Sequence, residues 1–473
     1  MKGDFSRMSY HERNHYSLVL MQQGRVQLDA DWNEQAMIQW SNLQKLVENL
    51  IGEHGGPNDD FLIEPRPNQD SSNTEETIPR DFIIRSGRYY VGGIMCENDE
   101  DCAFTNQKDY PIPEGEGIKQ GNTNYLVYLH VWFRHITNVQ DDSIREVALN
   151  GADTATRIKT VWQVKVIPLS DTIFEEVVPK KSVEQPIRTE TLDLSDWQSA
   201  EKRYLPIKTN YRIFETLLEK LKNDVKKSTG LLKAQAMMVD KTDKPCLISP
   251  QNRYRGAENQ LYRVEIHKSG GYGEATFKWS RENGSVVFPI LSVSKAMVTL
   301  EHLGRDARCG LKEGDWVEFV DDDYELQGKT QDLLQVISVD PVNMKVTLSG
   351  TSEFERNSSK HPFLRRWDHQ GDEKCGGALK VEAGKDLELE DGIQIQFVQE
   401  KGKVWFRSGD WWWIPARTAT GDVEWPRDGN EPLAQEPLDH GHRYAPLALI
   451  NVNADGKVDE SVDLRRRFKQ LWK

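Results

Sequence analysis

The chain has 473 residues, enough for about three domains that each bury a core. Lysine and arginine total 61 against 75 aspartate and glutamate residues, a net charge of -14, and no basic run is longer than the three arginines at 465–467, so the chain would repel a nucleic-acid backbone. The five cysteines are odd in number, scattered and never in C-x-x-C spacing, which argues against a zinc site or a disulfide framework and favours a reducing compartment.

The N-terminal residues 1–5 are polar and lack the apolar stretch of a secretory signal, and no segment approaches the length of a membrane span. We therefore expect neither export through a signal peptide nor a membrane-spanning helix.

The longest helical pattern follows residues 22–35. Asp31 and Glu34 have capping-box spacing, which predicts a helix start at Asp31, and the glycines from Gly52 onward predict its end. Apolar residues recur between them at steps of three and four, at Trp32, Ala36, Trp40, Leu43, Val47 and Leu50. Because this stripe is narrow, we expect a helical arm that docks on a neighbouring surface of the same subunit or the next.

Three stretches carry oxygen ligands that could bind a cation, two of them in calcium-loop order and one on its number of carboxylates alone, and each has a structural alternative. Residues 29–33 copy the opening of a calcium loop, but Glu34 and Trp40 stand where glycine and a bidentate glutamate belong. Residues 451–463 match better, yet they are also typical of a strand entering an Asp-Gly turn. The acidic run 321–323 is most simply a solvated turn. We favour capping, a hairpin and a turn, and expect no bound metal.

Strand patterns dominate from residue 76 onward. Short strands with glycine turns are predicted at 82–84, 88–91 and 94–96, followed by a long strand over 125–133 with 160–169 as its partner. A second helical zone over about 195–227 has an apolar face made by Ile213, Leu217, Leu221 and Val225.

The strand pattern resumes at residue 234. Strands at 261–267, 275–280 and 286–290 predict an antiparallel sheet, and those at 316–320, 333–339 and 346–348 predict a small barrel or sandwich. We therefore predict a mainly β (α+β) chain of small antiparallel β-sandwich or barrel modules with one inserted helical segment. The predicted parts are an N-terminal helical arm and linker (1–75), a β domain (76–190), a helical segment (191–233), a β domain (234–370) and an aromatic-rich C-terminal β domain (371–473).

Polar residues crowd the ends of the strands near 261–282, at Arg253, Arg255, Glu258, Asn259, Arg281 and Glu282. They could bind a carboxylated ligand, but a network of structural ion pairs is the better interpretation.

The C-terminal part has the densest aromatic cluster, with Trp405, Phe406, Trp411, Trp412, Trp413 and Trp425. Tryptophan beside Asp410, Asp422 and Glu424 is typical of a carbohydrate-binding or carbohydrate-cleaving cleft. In a strand, however, adjacent side chains point to opposite faces, so Trp411, Trp412 and Trp413 cannot form one platform. Packing is therefore favoured, and the carbohydrate module is kept as the alternative function.

Catalytic motifs give little support for an enzyme. The P-loop and G-x-S-x-G are absent, H-E-x-x-H occurs only at residues 11–15, outside any predicted helix, and His440 and His442 have no ligand partners at recognisable spacing. We expect no enzyme and no cofactor.

Five strings resemble a bacterial family of uncharacterised domain, the DUF6519 type. They are KGDFS (2–6), LMQQGRVQLDADWNEQ (20–35), DTATRIKTVWQV (153–164), FKWSRENGS (277–285) and PARTATGD (415–422). Members of that family are encoded beside phage-tail-like contractile injection systems and are sometimes fused to right-handed β-helix repeats. The resemblance implies a tail or baseplate association rather than a reaction, and it supplies no catalytic residues.

We therefore expect a structural protein, made in the bacterial cytoplasm, that becomes part of an assembled contractile injection particle as a homo-oligomer with other baseplate or tail proteins as partners. The expected assembly interface comprises Trp32, Trp40, Leu43, Val47 and Leu50 on the helix and Arg465, Phe468 and Trp472 in the tail segment. The alternatives are the carbohydrate module at 405–425 and, third, a calcium-stabilised adhesin.

Overall fold

The computed structural model describes residues 1–67, 77–112, 117–119, 121, 123–169, 228–237, 253–351, 356–399 and 402–468. Within these residues strands dominate and one long helix lies near the N-terminus, which confirms the mainly β prediction. The predicted helical zone over 195–227 lies outside the described residues. The chain forms two compact units: unit 1 comprises Met1–Ala36, His135–Ile158 and Lys226–His440, and unit 2 comprises Met37–Arg134, Lys159–Val225 and Gly441–Lys473.

In chain order, the α-helices are α1 (Asp29–Ile51) and α2 (Asp322–Gln327), and short 3-10 turns occur at Glu12–Asn14, Asp142–Ile144, Val147–Leu149, Ser358–Lys360 and Glu373–Cys375. The strands are β1 (His54–Pro57), β2 (Ile63–Pro67), β3 (Thr77–Ile84), β4 (Gly87–Val91), β5 (Ile94–Asn98), β6 (Cys102–Ala103), β7 (Thr123–Ile136), β8 (Arg157–Leu169), β9 (Leu231–Ala236), β10 (Gln260–Lys268), β11 (Thr276–Ser280), β12 (Val287–Ser294), β13 (Met297–Leu300), β14 (Trp316–Val320), β15 (Leu334–Asp340), β16 (Lys345–Leu348), β17 (Phe363–Trp367), β18 (Leu379–Lys380), β19 (Asp386–Glu388), β20 (Ile393–Val398), β21 (Trp411–Arg417), β22 (Asp422–Val423), β23 (Arg427–Asp428), β24 (Glu431–Pro432), β25 (Arg443–Val452), β26 (Val458–Asp463) and β27 (Arg467–Phe468).

Helix α1 ends at Ile51, as predicted, with Gly52 in the left-handed region at φ +91°. Its start was predicted wrongly at Asp31, because the helix begins two residues earlier. Both Asp29 and Asp31 lie in the first turn, where carboxylates face the positive end of the helix dipole.

Unit 2 contains three sheets, with strand orders β27-β1-β4-β5, β2-β3-β6 and β26-β25-β7-β8. The predicted pairing of β7 with β8 is confirmed. On its other side β7 pairs with β25, from Arg443 opposite Val131 to Val452 opposite Thr123. Strand pairing therefore crosses the predicted domain boundaries at 190 and 370. The core between the sheets is built from buried side chains such as Phe61, Tyr89, Phe82, Leu129 and Leu447.

Unit 1 contains a five-stranded sheet of order β18-β11-β10-β21-β22, in which the tryptophan-rich strand β21 pairs with β10. The predicted antiparallel pair β10 and β11 is confirmed. Placing β12 in the same sheet was wrong, since β12 pairs with β13 and β17 in the neighbouring barrel. Smaller sheets of order β19-β20-β9 and β23-β24 complete the unit.

The barrel closes in the order β12-β13-β16-β15-β14-β17, as the sequence suggested for this region. It consists of two halves of three strands each, β12 to β14 and β15 to β17. The first strand of each half pairs with the third strand of the other half, β12 with β17 and β15 with β14. The second strand of each half carries Val-Thr-Leu, and Val298 lies opposite Val346 where these two strands meet. This internal repeat was not recognised in the sequence.

The acidic run 321–323 was wrongly predicted as a solvated turn. The Asp321 carboxylate accepts a hydrogen bond of 2.9 Å from the Tyr324 amide and so caps α2, which Gly328 ends at φ +62°.

Candidate functional site

Exposed apolar side chains are concentrated near the start of the chain. About half of the exposed large apolar residues that the structure describes lie there, at Tyr16, Leu18, Leu20, Met21, Val26, Leu28, Trp32, Leu43, Leu46 and Leu50. Scattered apolar residues are normal on a protein surface, whereas a concentration of them marks an interaction site.

Residues 10–28, which we call the arm, contain most of this surface. From residue 11 to residue 28 every residue but the half-buried Val19 is exposed, and beyond the 3-10 turn the segment has no regular structure. The Arg25 amide donates to the Gln22 carbonyl at 3.3 Å, and Gly24 lies at φ +71°, so a turn joins the runs 16–21 and 25–28. The arm thus presents two apolar runs to solvent.

The base of the arm is tied to the first turns of α1. Ser6 donates from its amide (2.9 Å) and its hydroxyl (2.5 Å) to the Asp29 carboxylate, and the Ser9 hydroxyl donates to Glu34 at 2.6 Å. Further along, the Val19 amide donates to the Gln35 side chain at 2.6 Å. These bonds position the arm, while its apolar side chains stay uncovered.

Residues 1–6, which we call the hook, anchor the chain before the arm begins. Side chains from β10, β21 and the turn after β11 hold its backbone and Lys2. The contacts are Arg263 Nη1 to the Met1 carbonyl (3.0 Å), Asn283 Nδ2 to the Gly3 carbonyl (3.0 Å), Arg417 Nη2 to the Ser6 carbonyl (3.0 Å) and Lys2 Nζ to Glu265 (3.2 Å). The hook therefore fixes where the arm begins on unit 1.

A network of buried charges surrounds Lys2. Arg263, Glu265, Lys278 and Glu318 are each at most 5% exposed. Arg263 Nε lies 2.5 Å from Glu265, and Lys278 Nζ lies 2.7 and 2.8 Å from the two Glu318 oxygens. Trp367 Nε1 also donates to Glu318 at 2.9 Å.

The electrostatics of this network keep its carboxylates ionised. Burial by itself would raise the pKa of Glu265, but the charges of Lys2, Arg263 and Lys278 outweigh it and hold the pKa well below its ordinary value. Burial likewise opposes ionisation of Glu318, yet its cationic neighbours, Lys278 first, lower its pKa to about 2. Burial lowers the pKa of Lys2 to about 8 against the attraction of Glu265. The opposite charges of the network stabilise one another, so the network serves to anchor the hook.

The predicted helix residues divide into two groups. Trp32, Leu43 and Leu50 are exposed, by 78, 58 and 78%. Trp40 is half-buried and packs edge-on against Phe133 with ring centroids 4.7 Å apart, and Val47 is also half-buried.

The two predicted tail residues that the structure describes are packed within unit 2. Arg465 is buried, lies 2.8 Å from the Asp463 carboxylate and donates to the Asp60 carbonyl at 2.6 Å. Phe468, on β27, is half-buried with its ring 6.3 Å from that of Tyr90. Trp472 lies outside the described residues.

A model of the family described as "Family of unknown function (DUF6519)" matches residues 1–182 and 210–460, which include the hook, the arm and α1. The chain belongs to this family. No curated protein and no solved structure matches it.

Four of the strings that carry the DUF6519 resemblance meet at the hook: the hook itself, residues 20–35 with Asp29, residues 277–285 with Asn283, and residues 415–422 with Arg417. Sequence reasoning missed this convergence and the role of Lys2. The alternation of polar and apolar residues along β10 would have placed Arg263 and Glu265 on a solvent face. The structure covers that face, so the alternation marks a buried polar layer.

The polar residues at the strand ends of this DUF6519 chain form ion pairs, as the sequence suggested. Arg281 lies 2.7 Å from Glu390, and Arg255 lies 3.4 Å from Glu388. Arg308 pairs with both Glu282 and Glu258.

The tryptophan-rich strand is packed into unit 1. Trp411 and Trp412 are each 2% exposed, with Trp412 in the core and the guanidinium of Arg263 4.3 Å from the ring of Trp411. Trp413, on the same face as Trp411, donates to Asn283 at 2.9 Å. The predicted alternation of the three side chains is confirmed. The nearby carboxylates are paired with arginine: Asp410 with Arg407, Asp422 with Arg427, and Glu424 with Arg417.

The stretch 451–463 forms the β25–β26 hairpin, as favoured from the sequence. The Gly456 amide donates to the Asn453 carbonyl at 2.9 Å and closes its turn. Across the described part of the chain, no group of three or more histidine, cysteine, aspartate or glutamate residues could hold a metal ion. No helix within the described ranges is both long enough and apolar enough to cross a membrane.

Proposed function

We propose that this protein is a structural component of a phage-tail-like contractile injection system, in its baseplate or another tail accessory position, and that it acts through protein–protein assembly. The observation that carries the proposal is the arm: a solvent-exposed apolar segment whose base is tied to α1 by the hydrogen bonds of Ser6 and Ser9. The resemblance of the five strings to the DUF6519 family supports the injection particle as the place where the protein acts.

The energetics favour a surface that is covered in an assembly. Complete burial of a valine, leucine or methionine side chain contributes about 1.5–3 kcal/mol, and the arm offers Leu18, Leu20, Met21, Val26 and Leu28. The cost of ordering the arm on binding is reduced, because its base and its turn already have their hydrogen bonds. In a symmetric particle the same contact recurs in every subunit, so a modest interface suffices.

The experiment is assembly of particles in a bacterium whose own copy of the protein is replaced by a variant. Leu20→Asp with Val26→Asp puts two carboxylates on the arm, where both side chains are about four-fifths exposed, so the fold should be retained. We expect this variant to be lost from purified particles, measured by quantitative mass spectrometry, and electron microscopy to show the corresponding density missing.

The matched control is Val342→Asp in the β15–β16 turn, a valine 88% exposed. It should be incorporated like the native chain. A folded arm variant that enters particles at the native level would contradict the proposal.

A further inference from the structure

We infer that the arm binds the arm of a second copy of this chain, so that the unit of assembly is a two-fold symmetric dimer. This inference rests on the proposed function and names the partner at that surface. The arm patch is defined as Tyr16, Leu18, Leu20, Met21, Val26, Leu28 and Trp32, all in unit 1.

The area of the arm patch fits a two-fold interface. Its seven side chains are large and between 48 and 82% exposed. Together they present an apolar area of the same order as the roughly 800 Å² per partner that a standard interface buries. A two-fold axis through the patch would cover it on both copies at once.

Backbone pairing favours the same partner. The run 16–21 contains Tyr16 and Val19 and the run 25–28 contains Val26, which are residues that strands favour, yet neither run pairs with a strand in the described structure. A strand-forming segment lying beside its own two-fold copy makes an antiparallel pair, which gives partners to amide and carbonyl groups that otherwise face solvent.

Two sheet edges of unit 2 are already covered by side chains. On β8, Gln107 accepts from the Val164 amide at 2.7 Å and donates to its carbonyl at 2.9 Å. On β5, Trp162 Nε1 donates to the Glu97 carbonyl at 2.8 Å. Such coverage opposes the addition of a foreign strand. The arm of the second copy therefore fits the arm better than either of these edges does.

Charges beside the arm patch are also suited to a second copy. Arg25 lies in the arm turn and Asp31 in the first turn of α1, and neither forms an ion pair within the described part of the chain. In an isologous interface the same surface of each copy contacts the other copy. Arg25 of each copy can therefore pair with Asp31 of the other, which gives two ion pairs across one axis.

The test is sedimentation velocity of the purified full chain over a wide range of concentration. The native chain should show a reversible monomer–dimer equilibrium. Val26→Asp should raise the dimer dissociation constant about tenfold or more, because the carboxylate would be buried without a partner in both copies. Val342→Asp, at a valine of similar exposure on the barrel, should leave the constant unchanged.

A charge exchange tests the predicted pairing. Arg25→Glu and Asp31→Arg should each weaken the dimer, and the double variant should restore it. Circular dichroism should show an unchanged fold in all three variants. A native chain that stays monomeric at every concentration, or a dimer that Val26→Asp leaves unchanged, would overturn the inference.

The two proposals fail separately. If the chain is monomeric but the Leu20→Asp, Val26→Asp variant is still lost from particles, the arm binds a different particle protein; the second copy is then refuted and the assembly role stands. If the dimer forms as expected but the variant enters particles normally, the assembly role of the arm is refuted and the dimer stands. Binding of the native monomer to anionic phospholipid vesicles, abolished by Val26→Asp, would refute the dimer in favour of a membrane surface.

Discussion

Lys278 and Glu318 form a buried ion pair in which the lysine Nζ lies 2.7 and 2.8 Å from the two carboxylate oxygens. The pair joins β11 of the five-stranded sheet to β14 of the barrel, and Trp367 adds a hydrogen bond to the same carboxylate. Two charges withdrawn from water need such geometry, because their desolvation cost is comparable with their mutual attraction. The pair therefore fixes how two β structures of unit 1 meet.

Breaking the pair should destabilise unit 1 strongly. Lys278→Met leaves Glu318 buried without its main partner, and we expect the free energy of unfolding to fall by about 3–5 kcal/mol. Lys278→Met combined with Glu318→Leu should recover much of that loss. Urea unfolding followed by circular dichroism measures both effects.

An exposed ion pair on the neighbouring strand gives the control. Lys268 and Asp332 are also 2.7 Å apart, but their side chains are 46 and 65% exposed. Lys268→Met should cost less than about 1 kcal/mol. Equal losses at Lys278 and Lys268 would show that the buried pair has no special role.

Stability should depend on pH through the same carboxylates. The pKa of Glu318 falls from an ordinary 4.5 to about 2 in the folded chain, and that of Glu265 is also lowered. Below pH 4.5 the unfolded chain therefore binds more protons than the folded one, and the stability present above 4.5 is lost as the pH falls towards 2. Glu318→Gln should flatten the measured dependence in this window. An unchanged slope would contradict the assignment.

The structural features that the sequence predicted correctly are those that a local sequence pattern determines. The stripe on α1, the glycine that ends it, the alternation at Trp411 to Trp413 and the 451–463 hairpin depend on neighbours in the chain, and all are present. The hook could not be predicted, because Lys2 and Glu265 are 263 positions apart and meet only when the fold brings them together. The barrel repeat was detectable in principle, since Val-Thr-Leu occurs at 298–300 and again at 346–348.

The residues of the candidate site were likewise predictable only as far as a local sequence pattern identifies them. Periodicity placed Trp32, Leu43 and Leu50 together with Trp40 and Val47 on one stripe, but it could not say which of them the fold would cover. The exposed runs of the arm carry apolar residues in an irregular segment, where no helical or strand period identifies a face.

Truncation of two tryptophans should change the stability by very different amounts. Trp412 is 2% exposed, packs in the core and donates to the Gln435 carbonyl at 2.9 Å, so Trp412→Ala should lower the free energy of unfolding by about 3–5 kcal/mol. Trp32 is 78% exposed, so Trp32→Ala should leave stability within about 0.5 kcal/mol. Thermal and urea unfolding measure the difference. A stable Trp412→Ala protein that loses binding on a glycan array would instead favour the carbohydrate module.

The turn of the arm should matter for assembly but little for folding. Gly24 lies at φ +71° with open space where a Cβ would be, so Gly24→Val meets no clash but costs about 1–2 kcal/mol in the left-handed region. Because the arm is exposed, this cost should shift the arm out of its turn and raise the dimer dissociation constant without changing the global unfolding transition. Gly273→Val carries the same strain, at φ +77° and with no neighbour within 4 Å, in a turn between β10 and β11. It should leave the dimer unchanged in sedimentation velocity. Equal effects of the two variants on the dimer would mean that the conformation of the arm turn is not what the interface requires.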